Sequence, residues 1–269
     1  MNWRTAMRPN DRPIEIVCHR GANEYAPENT YASAQRCIDW GVDCVEIDVN
    51  RSSDGVFYLF HGPELERTTN ERGFFFELTS TLIDQLDAGS WFSPAYAGER
   101  IPRLEPFLDW IKGKAKLFLD IKAGSPAEII RLIRHYGLEE DCFVWSGSQP
   151  WALEFRTLAP DLQLKINVRD AAGIIAAHER FRANIVEVEW ENMSQAILET
   201  ARQRRIKTML YIKTKDAQAY RQALEWGVEM INLNHADLFL QVMREWGVGN
   251  GKPLLPTPHP PLPIPYSPL

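Results

Sequence analysis

Apolar residues fall along this chain in short, unbroken, β-branched runs separated by longer stretches of helical period. The runs at 14–20, 44–51, 116–122, 142–146, 163–168, 185–190, 207–212 and 230–234 read as buried strands. The amphipathic stretches at 31–40, 104–112, 127–136, 151–158, 171–181, 194–205, 216–226 and 236–246 read as helices. Asn29 or Thr30 is placed to cap the first helix, and Gly41 to end it. Strand and helix alternating in this way predict an α/β fold, a (β/α)8 TIM barrel, rather than an open sheet. Its active site belongs at the C-terminal ends of the strands.

Two places break the rhythm. Ser52-Ser53-Asp54-Gly55 is a turn signal followed at once by another strand-like run, 56–61. Four residues are too few for a parallel crossover, so this is an antiparallel hairpin. Pairing Arg51 with Val56 places His61 opposite Glu46. Residues 62–103 then form an insertion rich in aromatic residues, with a helix expected around 79–88. The expected organisation is a polar lead at 1–13, a catalytic barrel at 14–248 and a proline-rich tail at 249–269.

Composition changes this picture little. The length of 269 residues, 45% of them hydrophobic, suits one barrel domain. A net charge of -6 argues against a nucleic-acid partner. The absence of an apolar leader or a membrane-length apolar run points to a cytoplasmic protein without stable membrane insertion. The cysteines Cys18, Cys37, Cys44 and Cys142 read as buried thiols. Nothing in the sequence fixes the oligomeric state.

Chemistry gathers at the predicted strand ends. Glu46 and Asp48 lie two apart on one strand and so share a face, where their mutual repulsion is relieved by a cation. Asp120 ends another apolar strand. Oxygen ligands of this kind suit Mg²⁺ or Ca²⁺ better than zinc. His19 and His61 end two further runs and can serve as general acid and base for a phosphodiester. Arg20 and Lys122 are the cations nearest these groups in sequence and can hold phosphate oxygens. His135 and His178 fall on helices and read as surface residues, while His235 reaches the mouth.

These residues closely resemble the glycerophosphodiester phosphodiesterase family. The match runs through His19-Arg20-Gly21, Pro27-Glu28-Asn29-Thr30, Glu46-x-Asp48, His61, Arg67-Thr68-Thr69, Ile101-Pro102-x-Leu104-Glu105, Asp120-x-Lys122 and Gly227-Val228-Glu229. The resemblance implies hydrolysis of glycerophosphodiesters to glycerol 3-phosphate and an alcohol. It also implies one divalent cation on Glu46, Asp48 and Asp120, His19 and His61 as the acid/base pair, and Arg20 and Lys122 on the phosphate, with Tyr211 beside the substrate.

The chain departs from the family pattern at Gly62, where an aspartate is usual and Glu64 or Glu66 is the nearest substitute. It departs again at Asp120, where glutamate is usual, and at Tyr211-Ile212-Lys213-Thr214 and Leu233-Asn234-His235-Ala236. Two rival readings follow: a lipid phosphodiesterase of the lysophospholipase D or sphingomyelinase D kind, and a barrel that binds phosphodiesters without turnover.

Overall fold

In a computed structural model, which describes residues 12–249, the chain closes into a barrel. Its parallel strands are β1 (Glu15–Cys18), β2 (Cys44–Arg51), β4 (Lys116–Ile121), β5 (Cys142–Ser146), β6 (Gln163–Asn167), β7 (Ile185–Glu189), β8 (Lys207–Ile212) and β9 (Met230–Leu233). They follow one another around the barrel in chain order, and β1 pairs with both β2 and β9 to close it. The remaining strand, β3 (Phe57–Leu59), pairs antiparallel with β2. The expected (β/α)8 barrel is therefore the fold. The N-terminal lead up to residue 11 and the proline-rich tail beyond residue 249 lie outside the described residues.

Helices α1 (Tyr31–Trp40), α4 (Pro126–Tyr136), α5 (Gln149–Leu158), α6 (Ala171–Phe181), α7 (Gln195–Arg204), α8 (Ala217–Trp226) and α9 (Ala236–Gly249) alternate with the parallel strands. Their ends follow local chemistry. Thr30, not Asn29, caps α1 in a reciprocal box with Ser33, and Gly41 ends it in the left-handed conformation. Ser125 and Glu128 box the start of α4, where Pro126 costs no helical hydrogen bond.

The unit after β2 differs in detail from the sequence expectation. Ser52 pairs with Val56 around Gly55, so Arg51 faces Phe57 rather than Val56. The ladder ends at Val49–Leu59, and His61 lies beyond it instead of standing opposite Glu46.

The helix expected around 79–88 is a single turn, α2 (Ser80–Ile83). Asp84 ends it, and beyond it Asp87 organises the following loop by accepting hydrogen bonds from the backbone of Gly89, Ser90 and Gly98. The insertion packs its own small core of Tyr58, Phe60, Leu65, Phe75, Ile83 and Leu86. The chain then re-enters the barrel through α3 (Leu104–Ile111).

The barrel interior is layered. Val17, Cys44, Phe118, Phe143, Ile185, Met209 and Met230 form an apolar plug. Two residues further along several of these strands the inward positions turn polar: Glu46 on β2, Asp120 on β4, Glu187 on β7 and Asn232 on β9. The four cysteines are buried free thiols. No helix among the described residues is long and apolar enough to cross a membrane.

Candidate active site

The site begins where β1 ends. Arg20 and Gly21 take left-handed backbone angles of 56° and 73° in φ. A Cβ at Gly21 would meet the Ser33 hydroxyl at 2.5 Å, so the turn accepts only glycine there. This turn aims the Arg20 amide at Glu46 Oε2, with which it hydrogen-bonds. The Arg20 side chain runs to Asp48 (Nε–Oδ2 3.4 Å) and Glu28 (Nη1–Oε1 3.2 Å).

Glu46, Asp48 and Asp120 offer carboxylate oxygens within 4.8 Å of one another. The parallel register makes Asp48 and Asp120 direct neighbours across β2 and β4. Asn29 fixes Asp48 from both sides: its Oδ1 accepts from the Asp48 amide at 3.0 Å and its Nδ2 donates to Oδ2 at 2.7 Å. Lys122 Nζ lies 3.1 Å from Asp48 Oδ1 and 2.7 Å from Asp120 Oδ2. Asp120 Oδ1 is buried and accepts no hydrogen bond, and Asp48 Oδ1, also buried, meets the Lys122 ammonium without a well-formed hydrogen bond. Three clustered, largely buried carboxylates with too few donors around them are a set that fits a hard divalent cation.

Electrostatics sharpen this. Burial, then the charges of Asp48 and Asp120, push Glu46 well above the usual carboxylate range. Burial and the Asp48 charge push Asp120 up to about 6. Burial acts on Asp48 too, but Lys122 and Arg20 outweigh it and hold this carboxyl low. Burial likewise works against the Lys122 charge, and Asp48 and Asp120 overcome it and raise its pKa.

The two histidines feel the same centre, since Asp48 and Arg20 act on both. His19 Nδ1 lies 3.0 Å from Asn234 Oδ1, with the Tyr211 hydroxyl at 3.4 Å. Asn234 Nδ2 donates to Glu24 at 3.1 Å, which fixes the amide with Oδ1 towards the ring. The proton of a neutral His19 therefore sits on Nδ1 and leaves Nε2 as an acceptor. Burial, reinforced by Arg20, lowers the His19 pKa to about 4. His61 Nδ1 lies 3.0 Å from the Gly62 carbonyl, which likewise leaves Nε2 free. Burial lowers its pKa as well, with Asp48 pulling the other way.

Two spaces open from this centre. A cavity of about 270 Å³ starts at His19, Glu46 and Asp120 and runs along Lys165, Tyr211 and Asn232. A larger groove of about 1070 Å³ passes His61, Lys122, Pro63 and Phe76. Trp145 lines both. The insertion is tied to the rim by Arg67, which donates to both Glu28 oxygens at 2.7 and 2.6 Å.

The candidate site residues His19, Arg20, Glu46, Asp48, His61, Asp120, Lys122 and Tyr211 thus lie at one end of the barrel, though Arg20 and Lys122 rest on carboxylates. Glu64 and Glu66 do not replace the aspartate usual at position 62: both are exposed, and Glu66 accepts from the Gly73 amide at 3.2 Å. Gly62 has a φ of 58°, and a Cβ there would lie 2.9 Å from Asn50 Nδ2, so this turn is built for glycine. His135 and His178 are exposed, and His235 stands beside Tyr25 at the mouth. Sequence reasoning passed over Asn29 as a site residue, and it missed Asn234 as the partner of His19. It also missed Lys165 and Glu187 inside the barrel.

Comparison with known proteins places the sequence and the fold. The model of the glycerophosphoryl diester phosphodiesterase family matches residues 19–146. A crystal structure of glycerophosphodiester phosphodiesterase from Agrobacterium tumefaciens is 35% identical and superposes with a TM-score of 0.80, covering 84% of this chain and 98% of that one. Glycerophosphodiester phosphodiesterase of Bacillus subtilis is 28% identical over 255 residues, 86% of this chain and 87% of its own length. An Oleispira antarctica phosphodiesterase, solved in complex with the product sn-glycerol-3-phosphate, shares the fold at 22% identity with a TM-score of 0.78, over 85% of this chain and 96% of that one. Fold and site together define a barrel enzyme of the phosphoric diester hydrolase class. The chain belongs to the glycerophosphodiester phosphodiesterase family.

Proposed function

We propose that the protein hydrolyses glycerophosphodiesters to glycerol 3-phosphate and an alcohol by cation-assisted His/His acid–base catalysis. The observation that carries this reading is the flanking of one carboxylate cluster by two histidines, each with Nδ1 engaged and Nε2 free. Glu46, Asp48 and Asp120 would hold Mg²⁺ or Ca²⁺, which when bound neutralises charge on the phosphate. Lys122, already tethered to two of these carboxylates, stands beside any phosphate they recruit, and Arg20 lies on the other side of Asp48.

His19 is the base. Its tautomer is fixed by Asn234, and its low pKa keeps it neutral at pH 7. Its Nε2 takes the proton from the attacking oxygen, either water or a neighbouring hydroxyl of the glycerol; in the second case the product is a cyclic phosphate, which water opens to glycerol 3-phosphate in a further step. The bond from phosphorus to the leaving alcohol breaks, and His61 gives that oxygen its proton. His61 takes the acid role: burial lowers its pKa and Asp48 opposes that, and the charge of a bound phosphate would add to the pull towards its protonated form. A coupled assay of glycerol 3-phosphate release from a panel of glycerophosphodiesters, with and without EDTA, tests the proposal. No release, or release indifferent to chelation in protein shown to be metal-free, rejects it.

One observation favours a second reading. The groove at His61 leads to Phe76, which is 54% exposed and stacked on Phe74. An acyl chain would find an apolar wall there, as a lysophospholipase D-like activity requires. Turnover of a lysophospholipid faster than of its deacylated counterpart would establish that reading over the first.

A further inference from the structure

Lys165 is 1% exposed, and its side chain lies inside the barrel. Its ammonium contacts Glu187 on the next strand, and Asn232 Nδ2 donates to the other Glu187 oxygen at 2.9 Å. The same ammonium lies 4.6 Å from the ring centre of Phe118 and 4.8 Å from that of Trp145. Ring faces and a carboxylate around one ammonium are what proteins use to bind alkylammonium ligands. Here the protein's own side chain fills that place, beside the cavity that opens from His19 and Glu46.

We propose that Lys165 is a specificity-determining residue: the cavity takes the leaving alcohol, and Lys165 excludes ammonium-bearing alcohols from it in favour of uncharged polyols. This rests on the phosphodiesterase reading above. Choline or ethanolamine would meet a like charge where it needs an aromatic face, and Glu187 is already neutralised. A second observation points to the ligand that does fit. Asn232 lines the cavity, is 3% exposed, and has its Nδ2 committed to Glu187 while its buried Oδ1 accepts no hydrogen bond. A hydroxyl supplies the missing donor, and a trimethylammonium group has none. Arg169 and Glu189, at the rim, are exposed to water and leave the inner choice to Lys165.

The test compares kcat/KM for glycerophosphoglycerol and glycerophosphoinositol with that for glycerophosphocholine and glycerophosphoethanolamine. The wild-type protein is expected to favour the polyol diesters by about tenfold or more. Lys165→Met frees both rings and the Glu187 carboxylate, and is expected to move the choline-to-polyol ratio about tenfold towards choline. That variant leaves Glu187 buried without its cation, so the double variant Lys165→Met/Glu187→Gln keeps the question open to measurement if the single one fails to fold. It is expected to shift the ratio the same way by less. Glycerophosphocholine turned over by the wild type as well as the polyol diesters overturns the proposal, as does an equal loss on all substrates in the folded variants. If the wild type turns over no glycerophosphodiester, the hydrolase reading fails by itself. Calorimetry with tetramethylammonium then decides the role of Lys165: binding gained by the variants supports it, and identical behaviour of wild type and variants refutes it.

Discussion

The two halves of the barrel handle charge in opposite ways. From β1 to β4 the ionisable groups stand at strand ends and in the loops beyond, with carboxylates outnumbering cations and the buried Asp120 Oδ1 left unpaired. From β5 to β9 the inward charges Lys165 and Glu187 are matched one to one and packed among aromatic rings. The first half carries uncompensated charge that a cation and a phosphate can complete. The second is neutral within itself and offers shape, ring faces and a few fixed hydrogen-bonding atoms. On the reading proposed above, chemistry and choice of substrate would sit largely on different strands, so that one could be altered without the other.

The hardest test of that division removes the histidines. His19→Ala and His61→Ala are each expected to lower kcat/KM by about 10²–10⁴-fold, with melting temperature near wild type. Near wild-type turnover in either variant would take catalysis out of the first half. Next is the carboxylate cluster. Mg²⁺ or Ca²⁺ is expected to raise the melting temperature of the wild type, because a ligand bound by the folded state stabilises it. Asp120→Asn should abolish that rise and lower turnover by about a hundredfold; a rise that survives in the variant would show the cation binding elsewhere.

Asn234 belongs to the second half by sequence but serves the first. Asn234→Ala should reduce kcat by about tenfold or more and leave KM nearly unchanged. A purely structural role would instead appear as a lower melting temperature with kcat intact.

The smallest effect lies in the hairpin turn between β2 and β3. Hydrogen bonds from Ser52 and Ser80 hold the Asp54 carboxyl down at about 2, against an ordinary 3.8. Its contribution to stability is complete above pH 4 and is lost as the pH falls from 4 towards 2. The gap in melting temperature between wild type and Asp54→Asn should therefore be widest at neutral pH and close towards pH 2. A gap constant across that range would mean that the carboxylate charge is not what the turn uses.

The sequence made the first half readable because its charges interrupt apolar runs at their ends, where a core has no use for them. The fold was readable for the same reason: buried strands and amphipathic helices leave distinct periods. The second half hid its polar layer. In Ile185-Val186-Glu187-Val188-Glu189 two acids alternate with valines, a pattern that reads as one dry face and one wet face. In a barrel both faces are covered, and Glu187 points inward. Alternation tells which residues share a face but not which face meets water.

The hairpin register slipped by one residue for a related reason. The turn dipeptides mark where the chain reverses, but the extra bond between Ser52 and Val56 decides how many residues the reversal consumes. Asn29 was passed over because an asparagine before a helix looks like a cap. Thr30 takes that role, which frees Asn29 to grip Asp48.

The hydrogen bond between His19 and Asn234 crosses the seam where the first strand meets the last. By the time β4 has left the ribosome, the nascent chain already contains both histidines, the arginine, the lysine and all three carboxylates. It still lacks the residue that orients the His19 ring. That orientation arrives only with the final strand, so an unfinished barrel can hold a full set of reactive side chains and remain silent until its last element docks.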